Sequence, residues 1–203
     1  MAIEEHVTNF SGVHSSAGMQ SWFNENQMVK TNAWNKHEGP AEGNGSHLRD
    51  GTSLLVFLEM IKVVKSTKGG NDFRGLGRWA RWVMKIDSKH RTRVVAVYGV
   101  GKSKPKGLGT VYQQYLQYIQ ENNLNTSLRK IFEVDFHAAL RVWRSNGERL
   151  LIFADFNDHI LTGRISQRLL NDNKLHVKDA LFKHWGDLDP NTWIRGKQPI
   201  DGV

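Results

Sequence analysis

The sequence predicts an α/β sandwich of the α+β type, and three observations carry that prediction. Two runs, 92–98 (TRVVAVY) and 149–154 (RLLIFA), are apolar on both faces, as strands covered on both sides are. Two segments with apolar residues at helical spacing lie between them. Strands alternating with helices of this size build layered sheets with helices packed against them.

Taken in order, residues 1–50 are the hardest to read. They are rich in Gly, Ser, Asn, His and Glu, with short apolar islands at Trp22-Phe23 and Met28-Val29. They are expected to form a loop-rich N-terminal segment, with 36–51 (KHEGPAEGNGSHLRDG) as one long loop. The partial domain proper is expected over 51–203. Its first strand pattern is 52–59 (TSLLVFLE); a polar stretch with Gly69, Gly70, Gly75 and Gly77 precedes a second, 79–86 (WARWVMKI). After 92–98 comes the basic loop GVGKSKPKGLG, and Thr110 is a suitable cap for a helix. In that helix Val111, Tyr115 and Tyr118 repeat at helical spacing beside Tyr112, Leu116 and Ile119. A second helix spans 128–145, with one line of Ile131, Val134, Ala138 and Val142 and an adjoining line of Phe132, Phe136, Ala139 and Trp143. Asn146-Gly147 stops it. Residues 164–170 form a short helix, and 199–203 open a strand.

The chain has 203 residues, enough for one domain with a real core. Hydrophobic residues make up 39%, including 7 Trp and 9 Phe, which is a globular composition. Cysteine is absent, excluding disulfides, thiol chemistry, iron–sulfur clusters and Cys-ligated zinc. Apolar runs such as 54–58 fall far short of the roughly 20 residues of a membrane-spanning helix. The start, MAIEEHVTNF, lacks the pattern of a secretory signal, so an intracellular location is expected. Net charge is +8 and unevenly placed: 60–110 holds 13 Lys/Arg against Asp72 and Asp87. That segment predicts a basic face whose natural partner is an anionic polymer, DNA or RNA. A generally well-solvated basic surface is the plainer explanation.

The segment RLLIFADFND carries the most chemistry. A buried strand ends in Asp155, Phe156 and Asn157, and its two-residue period places Asp155 and Asn157 on one side with Phe156 turned into packing. Such a pair can orient a water, take its proton and donate a hydrogen bond to a phosphoryl oxygen. An Asx-rich turn closing a strand would read the same way. Tyr98 ends the other buried strand, either as a donor to phosphate or as a core aromatic with its hydroxyl outward. Arg78, between glycines and Trp79, is either a phosphate contact or a surface arginine stacked on the indole. The tyrosines at 112, 115 and 118 fit packing better than base stacking. The nine histidines are scattered without metal-ligand spacing, so structural zinc is not expected.

Three patterns in order, VVAVYGV, LIFADFND and KQPIDGV, resemble the endonuclease/exonuclease/phosphatase superfamily of DNase I-like nucleases. GLGRW at 75–79, TVYQQ at 110–114 and Arg195-Gly196 before PIDG resemble a divergent subgroup. The resemblance covers 51–203. It implies two central mixed sheets flanked by helices and metal-dependent phosphodiester hydrolysis with Mg2+, or Mn2+ in its place. It implies catalytic roles for Asp155, Asn157, Tyr98 and Asp201, with Asp155 and Asp201 as metal ligands. Arg78, Lys102, Lys104 and Lys106 are the expected phosphate contacts.

Departures from the family pattern are substantial. No Asn motif and no strand ending in Gln-Glu precede residue 51, and no Ser-Asp-His motif follows PIDG. Relative to the family, both ends are expected to be cut short or replaced, and weak turnover or none is expected of the chain alone. Two alternatives therefore stand beside a nuclease: an inactive nucleic-acid-binding or scaffold remnant of the fold, and a phosphoesterase for a small anionic substrate.

Overall fold

The computed structural model describes residues 2–4, 28–34, 51–57, 63–66, 72–85, 88–101, 111–159, 162–180 and 201–202. Its centre is β6 (Thr92–Tyr98), where Val94, Val95, Ala96 and Val97 are all buried. Apolar side chains on both sides demand cover on both sides, and the chain supplies it with two different layers.

A five-stranded mixed sheet has the order β4-β5-β6-β7-β8. β4 (Val64–Ser66) and β5 (Trp79–Met84) are antiparallel to each other, as are β5 and β6. β7 (Arg149–Asp155) runs parallel to β6 over its whole length, from Thr92 opposite Arg149 to Tyr98 opposite Asp155. The two strand patterns are therefore neighbours in one sheet, but their cover is unequal: β6 is buried on both faces, whereas in β7 only Ala154 is fully buried and Leu151 is 38% exposed. β8 (Asp201–Gly202) closes the edge antiparallel to β7.

Parallel neighbours need a crossover, and α1 (Val111–Glu121) and α2 (Leu128–Ser145) lie in this one. Ser127 caps α2 by accepting the Lys130 N–H at 3.2 Å, and Gly147 follows its end in the left-handed region. The expected pair of apolar lines on α2 resolves unequally. Phe132, Phe136, Leu140 and Trp143 pack on Trp79, Val95, Val97 and Ala154, whereas Val134 and Val142 are 44% and 56% exposed. A helix on a flat sheet buries one stripe, and the aromatic stripe removes more apolar area from water. α3 (Arg164–Leu170) adds Ile165 and Leu169 to the same core.

On the opposite sheet face, Trp82, Met84, Val94 and Ala96 form a second cluster with Val64 and Phe153. Three antiparallel strands of order β1-β3-β2 make the other sheet: β1 (Ala2–Glu4), β3 (Gly51–Phe57) and β2 (Met28–Trp34). β2 and β3 contact β5, and β1 and β3 contact β6. Residues 2–4 and 28–34, from the stretch least legible in sequence, thus pair directly with β3. One sheet is mixed as expected; the other, as far as it is described, is antiparallel throughout.

Candidate active site at the β6–β7–β8 edge

Strand register assembles this site. Tyr98 lies opposite Asp155, and Asp155 lies opposite Asp201, so three residues far apart in sequence share one row across three adjacent strands. Neighbouring strands are about 4.8 Å apart, so the three backbones span about 10 Å. Asp201 is described at the level of the strand ladder.

Two short turns leave this row, 99–101 after β6 and 156–158 after β7, and they are tied together. The Gly99 N–H donates to the Asp155 carbonyl at 2.7 Å. The Asn157 side-chain amide donates back to the Gly99 carbonyl at 2.8 Å. Asn157 has φ of 47°, in the left-handed region that asparagine tolerates, and its N–H donates to Asp155 Oδ1 at 2.7 Å. Between them Phe156 turns inward, 6.3 Å from the Phe132 ring and 6.2 Å from Phe136, the packing role its position predicts. A Cβ at Gly99 would meet the Phe156 carbonyl oxygen at 2.8 Å, which explains glycine there.

Arg129, near the start of α2, holds both turns from the helix side. Its Nη1 donates to the Val100 carbonyl at 2.8 Å and to the Asn157 carbonyl at 3.2 Å. Its Nη2 lies 2.9 Å from the buried Asp158 carboxylate. Arg129 does not stand out in sequence, and Asp158, the second carboxylate of the polar stop in RLLIFADFND, shows no partner there. A single arginine in an amphipathic helix and a second aspartate in a turn have no spacing that signals a shared function.

Tyr98 is 8% exposed and packs with Leu76, Val100, Tyr115 and Tyr118. Asp155 is half-buried, with one carboxylate oxygen engaged by Asn157. One amide hydrogen of Asn157 is used on Gly99, and the second remains as a donor in the group's chemistry. The backbone row thus carries Tyr98 beside Asp155, and the Asn157 backbone N–H bonds the Asp155 carboxylate just beyond it; carboxylate and carboxamide are groups suited to proton transfer and to oxyanion contact.

Arg78 departs from expectation. It is fully buried, with Nε and Nη2 on Asp72, the latter at 2.6 Å, and Nη2 also 2.9 Å from Asp135. Arg74 takes both Asp135 oxygens, sharing Oδ2 with Arg78, and donates to the Tyr118 hydroxyl at 2.9 Å. Burial works against the Arg78 charge, but Asp72 and Asp135 more than offset it and hold the guanidinium protonated. It stacks on Trp79, 4.7 Å from the ring, but inside the protein. Positive φ at Gly75 and Gly77 lets the chain double back and bring Arg74, Arg78 and Asp72 together. A cation enclosed by carboxylates in the core is not presented to a phosphate. Lys102, Lys104 and Lys106 lie outside the described residues.

Among the described residues no group of three or more His, Asp or Glu side chains is placed to hold a metal ion. Magnesium commonly uses only one or two protein carboxylates and keeps water or substrate phosphate for its other positions. Asp155 offers one such carboxylate, and Asp201 is placed opposite it by the ladder alone. Among the described residues no helix is long and apolar enough to cross a membrane.

No family model matches the chain, and no curated protein matches its sequence. A solved structure does: the human Nocturnin catalytic domain with bound sulfate anion, at a TM-score of 0.57 and 12% identity. The match covers 99% of this chain and 66% of that one, so this chain spans just under two thirds of the length of its structural relative. With a mixed sheet, a second sheet on one face and helices on the other, the chain has a DNase I-like α/β fold, distantly similar in structure to Nocturnin.

Proposed function

We propose that this chain is a phosphodiesterase of the nuclease type, acting on DNA or RNA, with the reacting phosphate bound where β6 and β7 end and β8 begins. The observation that carries this reading is the shared row of Tyr98, Asp155 and Asp201, with Asn157 beside it. Asp155 orients water and takes its proton, while the Asn157 amide and the Tyr98 hydroxyl donate to phosphoryl oxygens. Asp155 and Asp201 are the residues that would hold magnesium, which when bound supplies charge neutralisation at the phosphate. The bound sulfate in the Nocturnin domain, a tetrahedral oxyanion on a similar fold, agrees with a phosphate-sized anion here. The basic segment with Lys102, Lys104 and Lys106 favours a polymer over a small anionic ester.

The test compares the chain with Asp155→Ala on labelled DNA and RNA, with magnesium or manganese. Cleavage by the parent that falls about 100-fold or more in the variant is the expected result. A second reading, nucleic-acid binding without turnover, is favoured by the basic segment, which engages phosphates without a reacting carboxylate. Equal background in both proteins, with salt-dependent binding retained, would select it. In that case Lys102→Ala, Lys104→Ala and Lys106→Ala together should lower the salt slope, by roughly 0.9 for each duplex phosphate the variant no longer engages.

A further inference from the structure

We propose that Arg129 is a positioning residue that sets the distance between the turn after β6 and the turn after β7, and through them the placement of Tyr98, Asp155 and Asn157. The consequence for catalysis rests on the hydrolase reading above; the placement itself does not.

One guanidinium nitrogen bonds a carbonyl on each turn, Val100 at 2.8 Å and Asn157 at 3.2 Å. A planar group accepting no rotation about its C–N bonds makes that pair of bonds a spacer rather than two independent tethers. Asp158 fixes the other end of the fork at 2.9 Å, in a pair whose carboxylate side chain is only 2% exposed. Asp158 is itself confined: a Cβ at Gly163 would collide with its carboxyl group, so the start of α3 closes over it. Two further bonds tie the turns through Gly99, one to Asp155 and one from Asn157. Without Arg129 the Asn157 carbonyl loses its partner on the helix side, and left-handed Asn157 is held by neighbouring turn atoms alone. Arg129 reaches backbone and Asp158 and stands on the helix behind the turns, so its effect on a substrate passes through Asn157 and Asp155. Lysine keeps the charge but has a single nitrogen and cannot reproduce the fork.

The test uses Arg129→Gln and Arg129→Lys in the full chain, with amide hydrogen exchange followed by NMR and cleavage kinetics on the same samples. In Arg129→Gln the Gly99 and Asn157 amides should exchange about tenfold faster or more, while Val95 and Val97 in β6 keep their protection. Arg129→Lys should fall between. With a cleaving parent, kcat should drop about tenfold or more with KM within about twofold, the signature of misplaced rather than missing groups. Unchanged exchange at Gly99 and Asn157 overturns the proposal. So does a rise in KM at constant kcat, which would make Arg129 a substrate contact, and so does an unchanged kcat once the turns have loosened. Should Arg129→Gln not fold, Arg129→Lys and Asp158→Asn carry the same comparison. Loosened turns in a protein whose parent never cleaves would leave the positioning role standing and remove the hydrolase reading.

Discussion

Asp72→Asn is the perturbation that most directly tests how the core is built. Asp72 accepts from Nε and Nη2 of Arg78 and also from the Arg74 backbone N–H at 3.0 Å. Asparagine keeps one oxygen for these donors but removes the charge, leaving Arg78 buried with Asp135 as its remaining carboxylate, already shared with Arg74. Breaking a buried pair by removing one partner costs about 3–5 kcal/mol, because the other charge stays enclosed. For a domain of this size each kcal/mol moves the midpoint by about 2–4 °C, so a fall in Tm of about 6–20 °C is expected. Thermal and urea unfolding measure it. The control is Gln117→Ala, since Gln117 donates to Glu121 at 2.7 Å in an exposed pair on α1. Exposed pairs contribute at most about 1 kcal/mol, so the control should shift little. A loss below about 1 kcal/mol in Asp72→Asn would refute the reasoning, because it would mean Arg78 finds water or another anion. Were Arg78 a phosphate contact, removing Asp72 would instead tighten binding of anions and leave stability nearly unchanged.

Three further outcomes concern the site and its surroundings. Gly99→Ala should destabilise by about 1–3 kcal/mol, because its Cβ would meet Phe156 backbone atoms that cannot give way, and unfolding titrations will show it. Gly101→Ala, whose Cβ would stop 4.0 Å from the Asn157 side chain, should stay within about 0.5 kcal/mol of the parent. On α2, burial together with Arg168 and Arg141 holds His137 below its ordinary value of 6.5, against the pull of Asp172 at 2.7 Å. The unfolded chain then binds more protons at this residue, so stability is present above the ordinary value and lost as pH falls below it. Tm measured from about pH 7.5 to pH 5 should decline in the parent and flatten in His137→Gln; an unchanged slope would remove His137 as the cause.

What could be read from sequence was whatever depends on neighbours along the chain. Apolar runs on both faces marked β6 and β7, helical spacing marked α2, and the polar stop at 155–157 marked the end of β7, because strand and helix periods are local properties. The inward packing of Phe156 was legible for the same reason. Tertiary structure decided everything that depends on partners. Charge is the clearest case: Arg74, Arg78 and Arg93 add to the basic segment in sequence, yet Asp135, Asp72 and Glu148 neutralise them in the fold, two of these acids coming from outside the segment. Which stripe of α2 turned inward was settled by the sheet beneath it, and Val134 and Val142 were left exposed. β2 escaped notice because a strand of MVKTNAW lacks a strong apolar pattern and forms on the β3 template. Arg129 was invisible because its three acceptors lie 28 or 29 residues away in sequence, and only the parallel pairing of β6 with β7 brings their turns under one guanidinium.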